Sequence, residues 1–401
     1  MDITASLTTA DIIAADAARL RIAQAALPSQ AEIVAALAAL ANHWRDPAYP
    51  LRQEAEALND PFPFAMVWVS LDAILDSLHP AELWALIDAE ECRDAQGFAV
   101  VGHVIAANTP LLAWVSVIRA LLVRSASLVK LPSGPAAEWG RLFWRSLQDV
   151  SPALADCVVL HQWPGGTADL DAALCQSADI VVAHGSDSTM ESLRGLSPAE
   201  TPFIGYGHRV SLGVLPTGTA TPEALSELAR DVLLYDQGGC LSSQTVYVEG
   251  GWAETLGAAE QFAAALRQTV KDYPLPVRSA HAAPAVREAR ALASMEPDCQ
   301  LWAGEDLRWT VIARPELVFT PSPTFGVVSV QPLASLSDLP EAVAAVAPYL
   351  QGCAAAGEGT ANYLPGVSRL CPPGKLQAPP LGWRQDGRDV FRVLLPPRKC
   401  L

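Results

Sequence analysis

The sequence predicts an α/β fold: a parallel sheet covered by helices on both faces, preceded by a helical N-terminal segment. Three observations predict it. Residues 99–194 alternate short apolar runs with helical patterns, the signature of βαβ units. The runs are mostly apolar instead of strictly alternating, as in strands buried on both faces. Residues 1 to about 92 carry apolar positions at helical spacing.

Each element follows from local chemistry. Residues 31–43 repeat Ala and Leu at helical intervals. Pro80-Ala-Glu-Leu-Trp-Ala-Leu-Ile opens a helix with proline at its first position, where a missing N–H is no loss. Strands are expected at 99–106, 127–131, 157–161 and 180–183, and helices at 111–123, 138–149, 169–176 and 188–194. Residues 204–219 hold Gly205, Gly207, Gly213, Gly218 and Pro216 and break the series. The pattern then restarts with a helix at 222–234, a strand at 245–249 and a long helix at 253–271. Strand candidates lie at 311–312 and 327–330, and a helix at 339–350. A Pro/Gly-rich stretch at 365–380 precedes a last strand at 390–395. The break divides the chain into residues 1–211 and 212–378, with the tail 379–401 returning to the first part.

Composition narrows the function. The chain of 401 residues is 51% hydrophobic and 17% charged, which excludes a largely disordered protein. Its 27 basic and 43 acidic residues give a net charge of −16, which argues against a nucleic-acid partner. Eight cysteines are scattered with no C-x-x-C pair, so neither a disulfide framework nor a zinc ribbon is expected, and no metal. A reducing, cytoplasmic setting follows. MDITASLTTAD has no basic n-region, so no signal peptide is expected. Arg398-Lys399-Cys400-Leu401 has its cysteine in the wrong place for prenylation. Gly97–Ile118 runs 22 residues without Asp, Glu, Lys or Arg. Gly102, His103, Asn108, Thr109 and Pro110 interrupt it, so it predicts a buried strand, a loop at 107–110 and a buried helix, with no membrane span.

The common phosphate and hydrolase motifs are missing. No G-x-x-x-x-G-K-[ST] occurs, Gly205-Tyr206-Gly207 has Val210 where a third glycine belongs, and no G-x-S-x-G elbow is present. Tyr235-Asp-Gln-Gly-Gly-Cys240-Leu-Ser-Ser-Gln-Thr-Val-Tyr-Val248 stands out instead. Gly238 and Gly239 leave room for backbone N–H groups near a reacting carbonyl, and a thiolate is the nucleophilic form of cysteine. These residues alone leave Cys240 either a nucleophile or a buried structural thiol.

The order of motifs along the chain adds to this. Asn108-Thr109-Pro110 follows a strand, and Lys130-Leu131-Pro132-Ser133 ends the next one. Asp179-Ile-Val-Val-Ala-His-Gly185-Ser186 is a strand and turn, and Gln237 and Cys240 come some 50 residues later. Between about Ala99 and Val248 the chain resembles the aldehyde dehydrogenase superfamily. Within it, the chain is most similar to the LuxC-type branch of acyl-CoA and acyl-protein thioester reductases. The resemblance implies a Rossmann-like cofactor domain and an α/β catalytic domain carrying Cys240 as nucleophile. It gives Asn108 the role of oxyanion donor, against a plain reading as a cap of the next helix. It places Gly185 and Ser186 at the cofactor pyrophosphate and Gly165, in Trp163-Pro164-Gly165-Gly166, near the adenine. Ser133 stands where the superfamily has a glutamate that repels a 2′-phosphate, and Lys130 is close in sequence, so NADPH is expected, with NADH as the alternative. A helix cap is the plain reading of Ser133.

The departures set the expected reaction. The superfamily's water-activating glutamate is absent from Gly205-Tyr206-Gly207-His208-Arg209, with His208 as a substitute candidate. A second carboxylate, which holds the nicotinamide ribose, is absent from Pro323-Thr324-Phe325-Gly326-Val327. Without a base for water, the thioacyl enzyme persists to be reduced. The resemblance therefore implies NADPH-dependent reduction of a fatty acyl thioester, from acyl-CoA or an acyl-protein, to an aldehyde. It also implies an acyl-transferring partner protein and a homo-oligomer. The alternatives are an NAD(P)-dependent aldehyde dehydrogenase, a phosphate-ester reductase of the same fold, or a non-catalytic assembly subunit.

Overall fold

Burial on both faces sets the first sheet. Strands β1 (Val100–Val104), β2 (Ala126–Leu131) and β4 (Ile180–His184) are buried at every position. With β3 (Val158–Gln162) and β5 (Phe203–Tyr206) they form a wholly parallel sheet in the order β3-β2-β1-β4-β5. The computed structural model describes residues 8–58, 61–275, 279–357, 359–364 and 366–397. The chain ends read above for targeting signals, residues 1–7 and Arg398–Leu401, lie outside the described residues. The α/β class, the parallel sheet and the helical N-terminal segment are all as the sequence predicts.

The crossover helices are Leu112–Leu122, Ala137–Val150, Ala168–Ser177 and Asp187–Leu196. The uncharged stretch from Gly97 thus divides into β1, a loop and a buried helix. No single helix among the described residues is long and apolar enough to cross a membrane. Helix Gln30–Arg45 buries Ile33, Val34, Leu37, Leu40, Ala41 and Trp44 on one stripe and starts at a Ser29–Glu32 capping box. Helix Pro80–Ala89 has proline in its first turn, with His79 as cap.

The second sheet has the order β12-β11-β6-β7-β10-β9-β8. Its strands are β6 (Val210–Leu215), β7 (Ser243–Glu249), β8 (Gln300–Ala303), β9 (Thr310–Ala313), β10 (Val327–Leu333), β11 (Leu350–Ala355) and β12 (Arg369–Cys371). Only β8 runs antiparallel to its neighbour.

Three expectations need correction. Residues 204–219 do not break the series of elements, because they hold the end of β5 and all of β6. Their glycines mark close approach: a Cβ on Gly205 would lie 2.9 Å from Met190 Sδ, and one on Gly213 would lie 3.0 Å from Leu228. Residues 339–350 are not one helix. Leu339–Ala342 is a single turn, and Ala344–Tyr349 is a 3₁₀ segment containing Pro348, which has no N–H to continue an α-helix. Residues 390–395 are not a strand. A buried carboxylate replaces the sheet partner, with Glu90 accepting from the N–H of Val390 (2.7 Å), Phe391 (2.6 Å) and Arg392 (3.3 Å). Helix Ala282–Met295 and strands β5, β6, β8, β11 and β12 lack a counterpart in the sequence reading.

A second buried carboxylate holds the segment before that tail. Asp231 is fully buried and accepts from the N–H of Gly374 (2.6 Å) and Leu376 (3.0 Å). Burial pushes its carboxyl up to about 7, against the pull of those N–H groups. Below pH 7 the folded protein therefore keeps a proton that the unfolded chain, titrating near 3.8, has released. Folding takes up this proton between about pH 4 and 7, so stability falls as the pH rises through that window and levels off above it. One proton limits the slope to about 1.4 kcal/mol per pH unit. Asp231→Asn leaves one N–H facing an amide donor and is expected to lose about 1–3 kcal/mol. It should also flatten this part of the pH dependence. Urea midpoints of both proteins at pH 5 and 7.5 check it, and parallel pH slopes would refute it.

Candidate active site

Cys240 sits in the loop between helix Pro222–Leu233 and β7, at the end of an uncommon turn. Tyr235, Asp236 and Gln237 have φ of 58°, 55° and 59°. Three consecutive side-chain-bearing residues in the left-handed region cost on the order of 1 kcal/mol each. Tertiary contacts hold them there. The Tyr235 hydroxyl donates to Ser70 Oγ at 2.7 Å, and its ring meets Phe62 edge-on. Gln237, only 2% exposed, donates its amide to the carbonyls of Ser243 and Val327, both at 2.9 Å. Ser211 Oγ donates to the Cys240 carbonyl at 2.8 Å. The loop is thus tied to β6, β7 and β10 before the sulfur is placed.

Asn108 faces the same loop. Its Nδ2 donates to the Gly238 carbonyl at 3.0 Å, which uses one of its two amide hydrogens. Helix Leu112–Leu122 has Leu111 at its N-cap and no side-chain cap, so Asn108 does not serve that role. Helix Ala137–Val150 has no side-chain cap either, so Ser133 does not cap it.

Two cavities meet at Cys240. A cleft of about 400 Å³ lies at the carboxyl ends of β1, β4 and β5 and is lined by Asn108, His184, Gly185, Ser186 and Arg209. Ligands of open parallel sheets bind at this edge. An apolar pocket of about 100 Å³ opens on the other side, between Ile74, Leu111, Val115, Leu241, Pro379 and Trp383. Thr109, Leu112, Gly239, Cys240 and Gln385 border both. Burial pushes the Cys240 thiol up to about 12. Asp386 adds to this rise, and the Cys240 N–H and Arg209 oppose it.

The remaining candidates fall into two groups. Gly185 and Ser186 line the cleft with Cys240 and Asn108. Ser186 Oγ caps helix Asp187–Leu196 by accepting from Thr189 N–H at 3.2 Å. Lys130, Ser133 and Gly165 lie apart from the cleft, at the ends of β2 and β3. Ser133 Oγ is 3.5 Å from the Trp163 carbonyl. Lys130 is 7% exposed, and burial lowers its pKa while Asp171 opposes that shift. His208 is exposed at the cleft, and its backbone N–H donates to Asp187 at 2.9 Å. Thr324 also lines the cleft. Thr324, Phe325 and Gly326 also have φ of 71°, 58° and 75°, and a Cβ on Gly326 would meet the Arg308 carbonyl.

Sequence reasoning missed the tail's share of the site. Gln377, Pro379, Pro380, Trp383 and Gln385 wall the apolar pocket. Asp386 pairs with Arg209, 177 residues earlier, through Nε–Oδ1 at 2.8 Å and Nη2–Oδ2 at 2.5 Å. No local signal marks a contact over that separation.

A nicotinamide cofactor has matching features in the cleft. His184 Nδ1 is buried without a hydrogen-bond partner, while its ring is stacked on Tyr206 at 4.9 Å. Burial pushes His184 down to about 4, so the ring is neutral, and its unpartnered Nδ1 suits a carboxamide, which carries both a donor and an acceptor. Gly185 keeps the turn bare of a side chain, with Thr189 already 3.2 Å from where a Cβ would stand.

Solved structures share this architecture. An aldehyde dehydrogenase variant from Bacillus cereus superposes with a TM-score of 0.67 at 16% identity, covering 91% of this chain and 81% of that one. The NADP-dependent glyceraldehyde-3-phosphate dehydrogenase of Bacillus halodurans gives 0.68 at 14% identity, covering 96% and 89%. The fold is that of the aldehyde dehydrogenases. Within it, the family model described as acyl-CoA reductase (LuxC) matches residues 25–394, and the chain belongs to that family. Two relatives are named long-chain acyl-protein thioester reductase. The one from Aliivibrio fischeri is 29% identical over 184 residues, 44% of this chain and 37% of that protein. The one from Photorhabdus luminescens is 26% identical over 207 residues, 50% and 43%. The chain thus matches about two fifths of the length of these relatives.

Proposed function

We propose that this protein reduces a fatty acyl thioester to an aldehyde through a thioacyl intermediate on Cys240, with NADPH as reductant. The observation that carries the reading is the position of Cys240, between an apolar pocket and a larger cleft at the carboxyl edge of the first sheet. Family membership supports it, and the names of the relatives favour an acyl-protein donor, delivered by a partner protein, beside acyl-CoA.

The apolar pocket takes the start of the acyl chain and leaves the thioester carbonyl at the sulfur. Cys240, as thiolate, attacks the carbonyl carbon. The negative oxygen receives the free amide hydrogen of Asn108 and the Cys240 N–H. The donor's C–S bond then breaks, and its thiolate leaves and takes a proton. A nicotinamide cofactor, when bound in the cleft, would supply the hydride that reduces the acyl carbon; the Cys240 sulfur would then leave and the aldehyde be released. Gly185 and Ser186 would hold its pyrophosphate and His184 Nδ1 its carboxamide, while Lys130, Ser133 and Gly165 would hold the adenosine end. Serine in place of a carboxylate at 133 removes repulsion of a 2′-phosphate, which favours NADPH over NADH.

Incubation with a long-chain acyl-CoA in the absence of NADPH should give an acyl adduct on Cys240 that hydroxylamine removes. Adding NADPH should then release aldehyde. An unmodified Cys240 in the mass spectrum favours an assembly subunit, and NADP⁺-dependent conversion of aldehyde to acid favours an ordinary dehydrogenase.

A further inference from the structure

The thioacyl intermediate of the proposed reaction yields aldehyde only if water is kept from it. No carboxylate comes from the Gly205–Arg209 segment, yet the fold brings one there from the tail. Asp386 is paired with Arg209, which lines the cleft together with Cys240, and the neighbouring Gln385 borders both cavities. No Asp or Glu side chain among the described residues lines the cleft itself. Asp386 is held closed: the Arg209 guanidinium takes both of its oxygens, and Gln351 Nε2 adds a contact to Oδ1 at 3.3 Å. The position is fixed from both sides. Arg209 also donates to the His208 carbonyl at 2.8 Å, and Asp386 sits in a left-handed turn (φ 55°) four residues before the tail backbone held by Glu90. The Asp386 side chain is 10% exposed and that of Arg209 21%.

We propose that Arg209 is a specificity-determining positioning residue: by occupying both oxygens of Asp386 it stops that carboxylate from activating water against the Cys240 thioester. This inference rests on the thioacyl chemistry proposed above and adds what protects the intermediate. Released, Asp386 takes a proton from water, and the hydroxide oxygen attacks the acyl carbon. The C–S bond breaks, the thiolate recovers the proton, and a carboxylic acid leaves with no change in oxidation state.

The test follows acid release from long-chain acyl-CoA without NADPH, after mass spectrometry has measured loading of Cys240. Arg209→Gln should raise acid release per loaded enzyme by about 10²-fold, the low end for a positioned general base. Arg209→Lys, whose single ammonium can hold only one of the two oxygens, should give a rise between wild type and Arg209→Gln. The double variant R209Q/D386N should fall back to the wild-type rate. Unchanged acid release in Arg209→Gln, an equal rise in the double variant, or failure of both Arg209 variants to load acyl groups would each overturn the lock. Failure of the wild type to load Cys240 sinks the proposed function instead, so the two results are separable.

Discussion

Cys240→Ala should abolish both acyl loading and aldehyde formation, leaving NADPH consumption at the level without enzyme. The expectation follows from position. Cys240 is the cysteine that borders both cavities, while Cys92, Cys157, Cys175 and Cys353 are buried in the cores. The same geometry predicts a pH signature. With the resting thiol pushed up to about 12, most of the protein carries Cys240 protonated at neutral pH. The thiolate fraction therefore rises about tenfold per pH unit through the accessible range. Loading of the wild type, followed by quenched mass spectrometry, should climb from pH 6.5 to 9 without a plateau. A plateau near pH 7, or loading that survives in Cys240→Ala, would show that the sulfur is not the group that takes the acyl chain.

Asn108→Ala should lower aldehyde formation by about 10²–10³-fold, the usual loss for one oxyanion donor. The side chain does two things from one place. It holds the Gly238 carbonyl at 3.0 Å, which helps set the nucleophile loop, and it keeps a second amide hydrogen for the carbonyl oxygen under attack. A purely structural role predicts weaker substrate binding with little change in turnover. Stabilisation of developing charge predicts a loss in kcat with KM nearly constant. Asn108→Asp separates these further. It keeps the size of the side chain but sets a carboxylate against the Gly238 oxygen and beside the sulfur, so it should be slower than Asn108→Ala. Steady-state kinetics of the three proteins decide it, and equal kcat in wild type and Asn108→Ala would remove Asn108 from the chemistry.

Much of the site was legible because its parts are local. A cysteine behind two glycines and ahead of a strand, an asparagine just past β1, and a glycine-serine turn just past β4 each lie within a few residues of the element that positions them. Strand ends in a parallel sheet point the same way, so short motifs far apart in sequence arrive at one edge. The glycines at 205 and 213 misled for the opposite reason. In sequence they read as freedom, whereas in the fold they mark surfaces packed too closely for a Cβ.

The sequence by itself determined the α/β class and the parallel arrangement, which follow from periodicity over short spans, and it pointed to Cys240 as candidate nucleophile through the order of its motifs. Tertiary structure alone decided the left-handed turn at Tyr235–Gln237, the tail that walls the apolar pocket, and the Arg209–Asp386 pair. The turn is unfavourable locally and exists because Ser70, Ser243 and Val327 hold it. The tail carries no strand or helix periodicity because its N–H groups are met by the side chains of Glu90 and Asp231. Contacts of that kind have no period to detect, and only the folded chain brings their partners within reach.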